Sequence, residues 1–172
     1  PVIATADRGV FGDADFVDVD PATALLDAAA LERKLAAAAA AGKLPRAIVP
    51  VHLGGQPCDM DRIGALARKH GVTVIEDAAH AIGGSFGGKP VGACEHSDMT
   101  VFSFHPVKLI TTGEGGMITT HSDALALRLR LLRTHGITRD PAEMVGPSEG
   151  AWYYEQFDRG WNYRITDFQC AL

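Results

Sequence analysis

The chain has 172 residues, 47% of them apolar and 22% charged, with 19 Gly, 9 Pro and a formal charge of −5. That is too apolar for a disordered segment and long enough to bury the core of a globular domain. No run approaches the roughly 20 apolar residues of a membrane helix, and the acidic balance provides no basic stripe to displace the counterions of a nucleic acid.

In chain order, Asp15 to Asp20 alternates polar and apolar and meets Pro21, which predicts a short strand. Leu31 to Ala41 is rich in Ala and Leu and closes on Gly42, a helix with its C-cap. Ala47 to Val51 is an apolar run interrupted by Pro50. Asp59 to His70 carries Met60, Ile63, Leu66 and Ala67 at helical spacing and ends before Gly71. Val72 to Ile75 is an uninterrupted run of β-forming residues of the kind found in buried parallel strands. The glycine-rich Gly83 to Gly92 predicts a tight hairpin, and Met99 to Phe104 and Gly116 to Thr120 predict two further strands. Ser122 to His135 reads as a helix capped by Ser122 and ended by Gly136. Residues 137–160 have no clear period and predict a long loop held by something else. Thr166 and Gln169 stand at the spacing of a capping box, so a helix begins there and the sequence stops about one turn in. With Pro1 at the other end, the expectation is a piece of a longer protein. The alternation of strands and helices predicts an α/β layered domain.

Cys58, Cys94 and Cys170 are widely spaced, form no C-x-x-C and follow no recognisable secretory signal. A reduced, cytoplasmic setting is expected rather than a disulfide framework. Cys94-Glu95-His96 lacks a second ligand pair at a usable spacing, so no metal is expected.

Gly83 to Lys89 matches G-x-x-x-x-G-K, but Pro90 stands where a phosphate loop needs a hydroxyl and the start of a helix. A hairpin turn is the better reading. Asp77 follows the strand over 72–75, at the carboxyl edge where open α/β sheets bind ligands. It could equally cap the following turn. Lys108 is the one obligate charge between Met99 and Gly113. A lysine in such surroundings either snorkels to solvent or is kept as an amine whose pKa burial lowers. A lysine amine and a carboxylate at a strand end suit pyridoxal phosphate, which forms a Schiff base with the first and pairs its ring nitrogen with the second. Ser103 is a candidate to hold the phosphate.

Four ordered stretches then resemble the pyridoxal-phosphate-dependent nucleotide-sugar aminotransferases of the DegT/StrS type: Glu76-Asp77-Ala78-Ala79-His80-Ala81, Ser103-Phe104-His105-Pro106-Val107-Lys108, Gly113-Glu114-Gly115-Gly116 and Asn162-Tyr163-Arg164-Ile165-Thr166-Asp167. Val51-His52-Leu53-Gly54-Gly55-Gln56-Pro57 is similar to a fifth. The resemblance implies the large domain of a fold-type-I aminotransferase, a mostly parallel sheet flanked by helices, spanning residues 1–172 and truncated at both ends. It implies that Lys108 forms the Schiff base and moves the proton, that Asp77 partners the pyridinium, and that His80 lies beside the ring hydroxyl with Ala79 on the ring face. Ser103 then binds the phosphate. Asn162 reaches the cofactor of a neighbouring subunit, which implies a homodimer with shared sites, and Arg164 contacts an anionic substrate. The family's phosphate loop and its stacking aromatic would precede Pro1, and its small domain would follow Leu172. The implied reaction moves an amino group from L-glutamate to the keto carbon of a nucleotide-linked 4-keto-6-deoxy sugar. His135 to Asp140 and Trp152 to Gln156 look most similar to the enzymes of pseudaminic acid biosynthesis.

Three alternatives stay open at this level. A sugar dehydratase of the same family would carry His at the lysine position. A cysteine desulfurase would need a reactive cysteine on a mobile loop. A non-catalytic binding or scaffold domain could keep the fold without the chemistry.

Overall fold

The computed structural model describes residues 2–6 and 13–172. The chain divides into two compact units, Pro1–His121 and Ser122–Leu172.

In the first unit β1 (Val2–Ala6) pairs antiparallel with β2 (Asp13–Val17). The strand expected over Asp15–Asp20 therefore lies earlier. Asp20 turns the chain instead, its side chain accepting the Ala22 N–H and its carbonyl those of Thr23 and Ala24. Helix α1 (Ala28–Ala40) begins three residues ahead of the expected Leu31, because Asp27 caps it by accepting the Ala29 N–H at 2.7 Å. β3 (Ala47–Ile48) is short, since Pro50 has no N–H to extend the ladder. Beyond it the backbone meets the next strand at the bridge Val51–Asp77 and then makes a 3-10 turn at Leu53–Gly55. Helix α2 (Met60–His70) has the bounds that its spacing predicts: Asp59 accepts the Arg62 N–H, and Gly71 closes it in the left-handed conformation.

β4 (Thr73–Asp77), β5 (Ser85–Phe86), β6 (Lys89–Pro90), β7 (Met99–Ser103) and β8 (Gly116–Thr119) follow. β5 and β6 form the expected hairpin around Gly87 and Gly88, both at positive φ as a two-residue turn requires. A strand rather than a helix holds Lys89, which disposes of the phosphate-loop reading. The main sheet has the order β3-β4-β7-β8, with the first three strands parallel and β8 antiparallel at the edge. Leu31 and Leu35 of α1, Ile63 and Leu66 of α2, Ile48 of β3 and Val74 of β4 share one buried core. Each such side chain contributes about 1.5–3 kcal/mol by leaving water, and together they fix the helices against the sheet.

In the second unit α3 (Asp123–Arg133) is capped by Ser122, which accepts the Leu125 N–H. The stretch expected as a bare loop carries β9 (Ile137–Thr138) paired antiparallel with β10 (Glu155–Gln156). It is held partly by its own carboxylate: Glu155 accepts the N–H groups of Val145 and Gly146, and these bonds lower its pKa. α4 (Asp167–Cys170) opens on the predicted capping box between Thr166 and Gln169. Among the described residues, no helix is long and apolar enough to cross a membrane.

Candidate functional site

The candidate site is built on the carboxyl ends of β4 and β7. Along β4 the inward positions are Val74 and Glu76, which leaves Asp77 half-buried as the last residue of the strand. Its backbone is tied on both sides. The Asp77 N–H donates to Pro50 O at 2.8 Å and its carbonyl accepts the His52 N–H at 3.0 Å, while Val101 of β7 pairs with it from the other side. The side chain reconciles the two readings open from sequence. Oδ1 accepts the Ala79 N–H at 3.1 Å and so caps the turn, whereas Oδ2 has no hydrogen-bond partner among the described residues.

That turn presents Ala79, half-buried, and His80, exposed. His80 Nδ1 accepts the Gly54 N–H at 3.3 Å, so the ring hydrogen of the neutral imidazole sits on the free Nε2. The approach of the two turns depends on Gly55. It has φ +87°, and a side chain there would begin 2.9 Å from the His80 carbonyl oxygen.

On β7, Ser103 lies two residues beyond Val101, the register partner of Asp77, and thus at the same sheet edge. Its Oγ accepts the His105 N–H at 3.3 Å. The chain then turns, with the Lys108 N–H donating to the His105 carbonyl at 2.9 Å. Buried Phe104 closes this loop, its carbonyl accepting from both the hydroxyl and the backbone of successive threonines, Thr111 Oγ1 and Thr112 N. Lys108 is half-buried on the loop between exposed Val107 and Leu109. Among the described residues its Nζ has no ion-pair or hydrogen-bond partner.

Asp77, Ala79, His80 and Ser103 therefore lie at or just beyond the carboxyl ends of β4 and β7, and Lys108 lies on the loop that follows β7. Asn162 and Arg164 belong to the second unit and are exposed; Asn162 forms an isolated antiparallel bridge with Thr134. A concavity of about 360 Å³ beside the start of β4, lined in part by Arg68, Thr73, His96 and Asp98, contains none of these residues.

Sequence reasoning missed a buried polar cluster directly behind this edge. Glu76 Oε2 lies 2.7 Å from His52 Nε2, and Oε1 accepts hydrogen bonds from Thr100 Oγ1 at 2.9 Å and from Ser97 Oγ. His52 Nδ1 accepts the Cys58 N–H at 3.2 Å, so its own hydrogen sits on Nε2 and points at the carboxylate. Burial pushes the Glu76 carboxyl up, but the bonds from His52, Ser97 and Thr100 outweigh it and leave the group below its ordinary value. One feature could have exposed the cluster: Glu76 is in phase with buried Val74, and an acid on a buried face needs donors.

Residues 9–172 match the DegT/DnrJ/EryC1/StrS aminotransferase family. GDP-perosamine synthase of Caulobacter vibrioides is 46% identical over 156 residues, covering 91% of this chain and 37% of that protein. Among solved structures, Helicobacter pylori PseC, an aminotransferase involved in the biosynthesis of pseudoaminic acid, superposes with a TM-score of 0.79 at 28% identity, over 93% of this chain and 38% of its own. The PMP-form of Spr1654, a putative sugar aminotransferase from Streptococcus pneumoniae, gives 0.78 at 27% identity, over 94% and 43%. The chain thus spans about two-fifths of the length of the proteins it matches. With a mainly parallel sheet flanked by helices, and the family match running over nearly all of its residues, the chain belongs to the DegT/DnrJ/EryC1/StrS aminotransferase family.

Proposed function

We propose that this protein transfers an amino group from L-glutamate to the keto carbon of a nucleotide-linked 4-keto-6-deoxy sugar, using pyridoxal phosphate held at the carboxyl edge of β4 and β7. The observation that carries the reading is Asp77, half-buried at that edge, with one carboxylate oxygen committed to Ala79 and the other without a partner among the described residues. The surrounding groups fit the cofactor. Asp77 Oδ2 is an acceptor for a ring N–H, His80 Nε2 is a donor for a ring oxygen, Ser103 Oγ is a small hydroxyl for a phosphate, and Lys108 Nζ is an uncommitted amine.

Bound there, pyridoxal phosphate would supply an aldehyde that condenses with amines and a pyridinium that takes up electrons from a substrate carbon. The protein's share is to hold and to move protons. Lys108 Nζ would hold the cofactor's aldehyde carbon and would carry the proton taken from the amino donor's Cα. Asp77 Oδ2 keeps the ring nitrogen protonated in both halves of the reaction. Ala79 leaves room for the ring face. Asn162 completes the phosphate site of a second copy in a homodimer, and Arg164 meets an anionic substrate. On this reading residues 1–172 are part of the cofactor-binding large domain of a cytoplasmic enzyme. Lys108 also weighs against the dehydratase alternative, which would carry His at that position.

For the sugar, two leads differ. The resemblance in residues 135–140 and 152–156, with the likeness to PseC, supports a UDP-linked N-acetyl hexose of pseudaminic acid biosynthesis. The higher identity to a GDP-perosamine synthase supports a GDP-linked sugar. The full-length protein should show an absorbance band with added pyridoxal phosphate that is lost on borohydride reduction, with the pyridoxyl mass on Lys108. Incubation with L-glutamate and either UDP- or GDP-linked keto-sugars should then yield one aminated product. A label on another lysine, or no band, would overturn the assignment.

A further inference from the structure

His52 is bonded to the backbone of Asp77 and precedes the turn that is bonded to His80, the two residues that face the ring on the reading above. Its N–H donates to the Asp77 carbonyl at 3.0 Å, and it opens the turn in which the Gly54 N–H donates to His80 Nδ1 at 3.3 Å. Its own ring is held at both nitrogens, by the Cys58 N–H at 3.2 Å and by Glu76 Oε2 at 2.7 Å. Glu76 is the residue before Asp77, and its two oxygens are spent on His52, Ser97 and Thr100. His52 is 1% exposed and Glu76 6%, so neither is open to a ligand.

An apolar pair of similar volume would hold two strands at least as well, because a buried polar pair is often neutral for stability. What such a pair adds is direction. Three donors converging on one carboxylate fix the rotation of β4 about its axis at residue 76, and therefore the heading of the next side chain. A ring held at both nitrogens fixes the plane from which the 53–55 turn departs. Hydrogen bonds weaken steeply with misalignment, so a ligand-facing group works only while its support holds it in place.

We propose that His52 and Glu76, with Ser97 and Thr100 as supports, are positioning residues that aim Asp77 Oδ2 and His80 Nε2 at the cofactor ring. The inference rests on the cofactor reading of the preceding subsection. It is tested on the full-length protein with pyridoxal phosphate as the probe, reading the thermal midpoint, the cofactor dissociation constant and the position of the absorbance band. Glu76→Gln and the milder Ser97→Ala should weaken cofactor binding about tenfold, the lower end of what is lost when groups that orient metal ligands are removed, and should shift the band. Leu35→Val, in the core of α1, should lower the midpoint while leaving affinity and band alone. His52→Gln, which keeps a side-chain N–H for Glu76, should retain more affinity than His52→Leu. If the cluster variants behave like Leu35→Val, the positioning role is overturned and the cofactor reading stands. If the unaltered protein takes up no pyridoxal phosphate, both fall.

Discussion

Glu76 and Asp77 are adjacent carboxylates with opposite tasks, and the strand's alternation divides them. The inward one is consumed by three protein donors; the outward one keeps an oxygen without a partner among the described residues. The pH dependence of stability should report the first. Burial raises the Glu76 carboxyl, but its hydrogen bonds from His52, Ser97 and Thr100 prevail, so its folded pKa lies below the ordinary 4.5. A carboxyl with a depressed folded value binds more protons when unfolded in that window. Its stabilisation is therefore complete above pH of about 4.5 and is lost as pH falls through the folded value. Denaturant midpoints measured from pH 7 downward should fall across the acid range, and Glu76→Gln should flatten that fall. An unchanged slope would mean that other groups carry it. Asp77 and Lys108 were legible in the sequence because an acid at a strand end and a cation in an apolar window stand out locally. His52 and Glu76 were not, because their bond joins residues 24 apart and only the fold brings them together.

At the scale of elements, what the sequence shows well is what short-range chemistry decides. Asp59 and Gly71 bracket α2, and Thr166 with Gln169 opens α4, because each cap is a bond to a residue two to five positions away. The β9–β10 pair went unseen since its partners are 17 and 19 residues apart and each strand has only two residues, too few for alternation to register. The turn at Leu53–Gly55 holds the His80 turn in place. Gly54 and Gly55 both have positive φ, but only Gly55 lies against the His80 carbonyl, while an added Cβ at Gly54 meets nothing within 4 Å. Gly54→Ala should therefore cost about 1–2 kcal/mol through backbone strain alone. Gly55→Ala adds a clash and should cost more, and it should also push the His80 turn away and weaken pyridoxal phosphate binding. Thermal midpoints and cofactor titration of the two variants, side by side, separate strain from displacement. Equal losses in both would mean that the contact with His80 is immaterial.

For the whole molecule, the residues tied to the cofactor by resemblance fall in different compact units: Asp77, His80, Ser103 and Lys108 in the first, and Asn162 in the second. On the proposed reading Asn162 is a ligand of the neighbouring subunit's cofactor, which turns shared sites into a question of counting. In a closed two-fold dimer each site would take Lys108 from one copy and Asn162 from the other. Full-length Lys108→Ala and Asn162→Ala proteins, each alone, then have two damaged sites per dimer. When the two are mixed in equal amounts and allowed to exchange, about half of the dimers are mixed, and each of these has one site with both lesions and one with neither. Amino transfer should recover to roughly a quarter of the unaltered level, and the recovery should appear on the timescale of subunit exchange. A protein whose site is complete within one copy gives a different result. The mixture would then show only the average of the two variants at any incubation time, and Asn162 would have to act within its own chain.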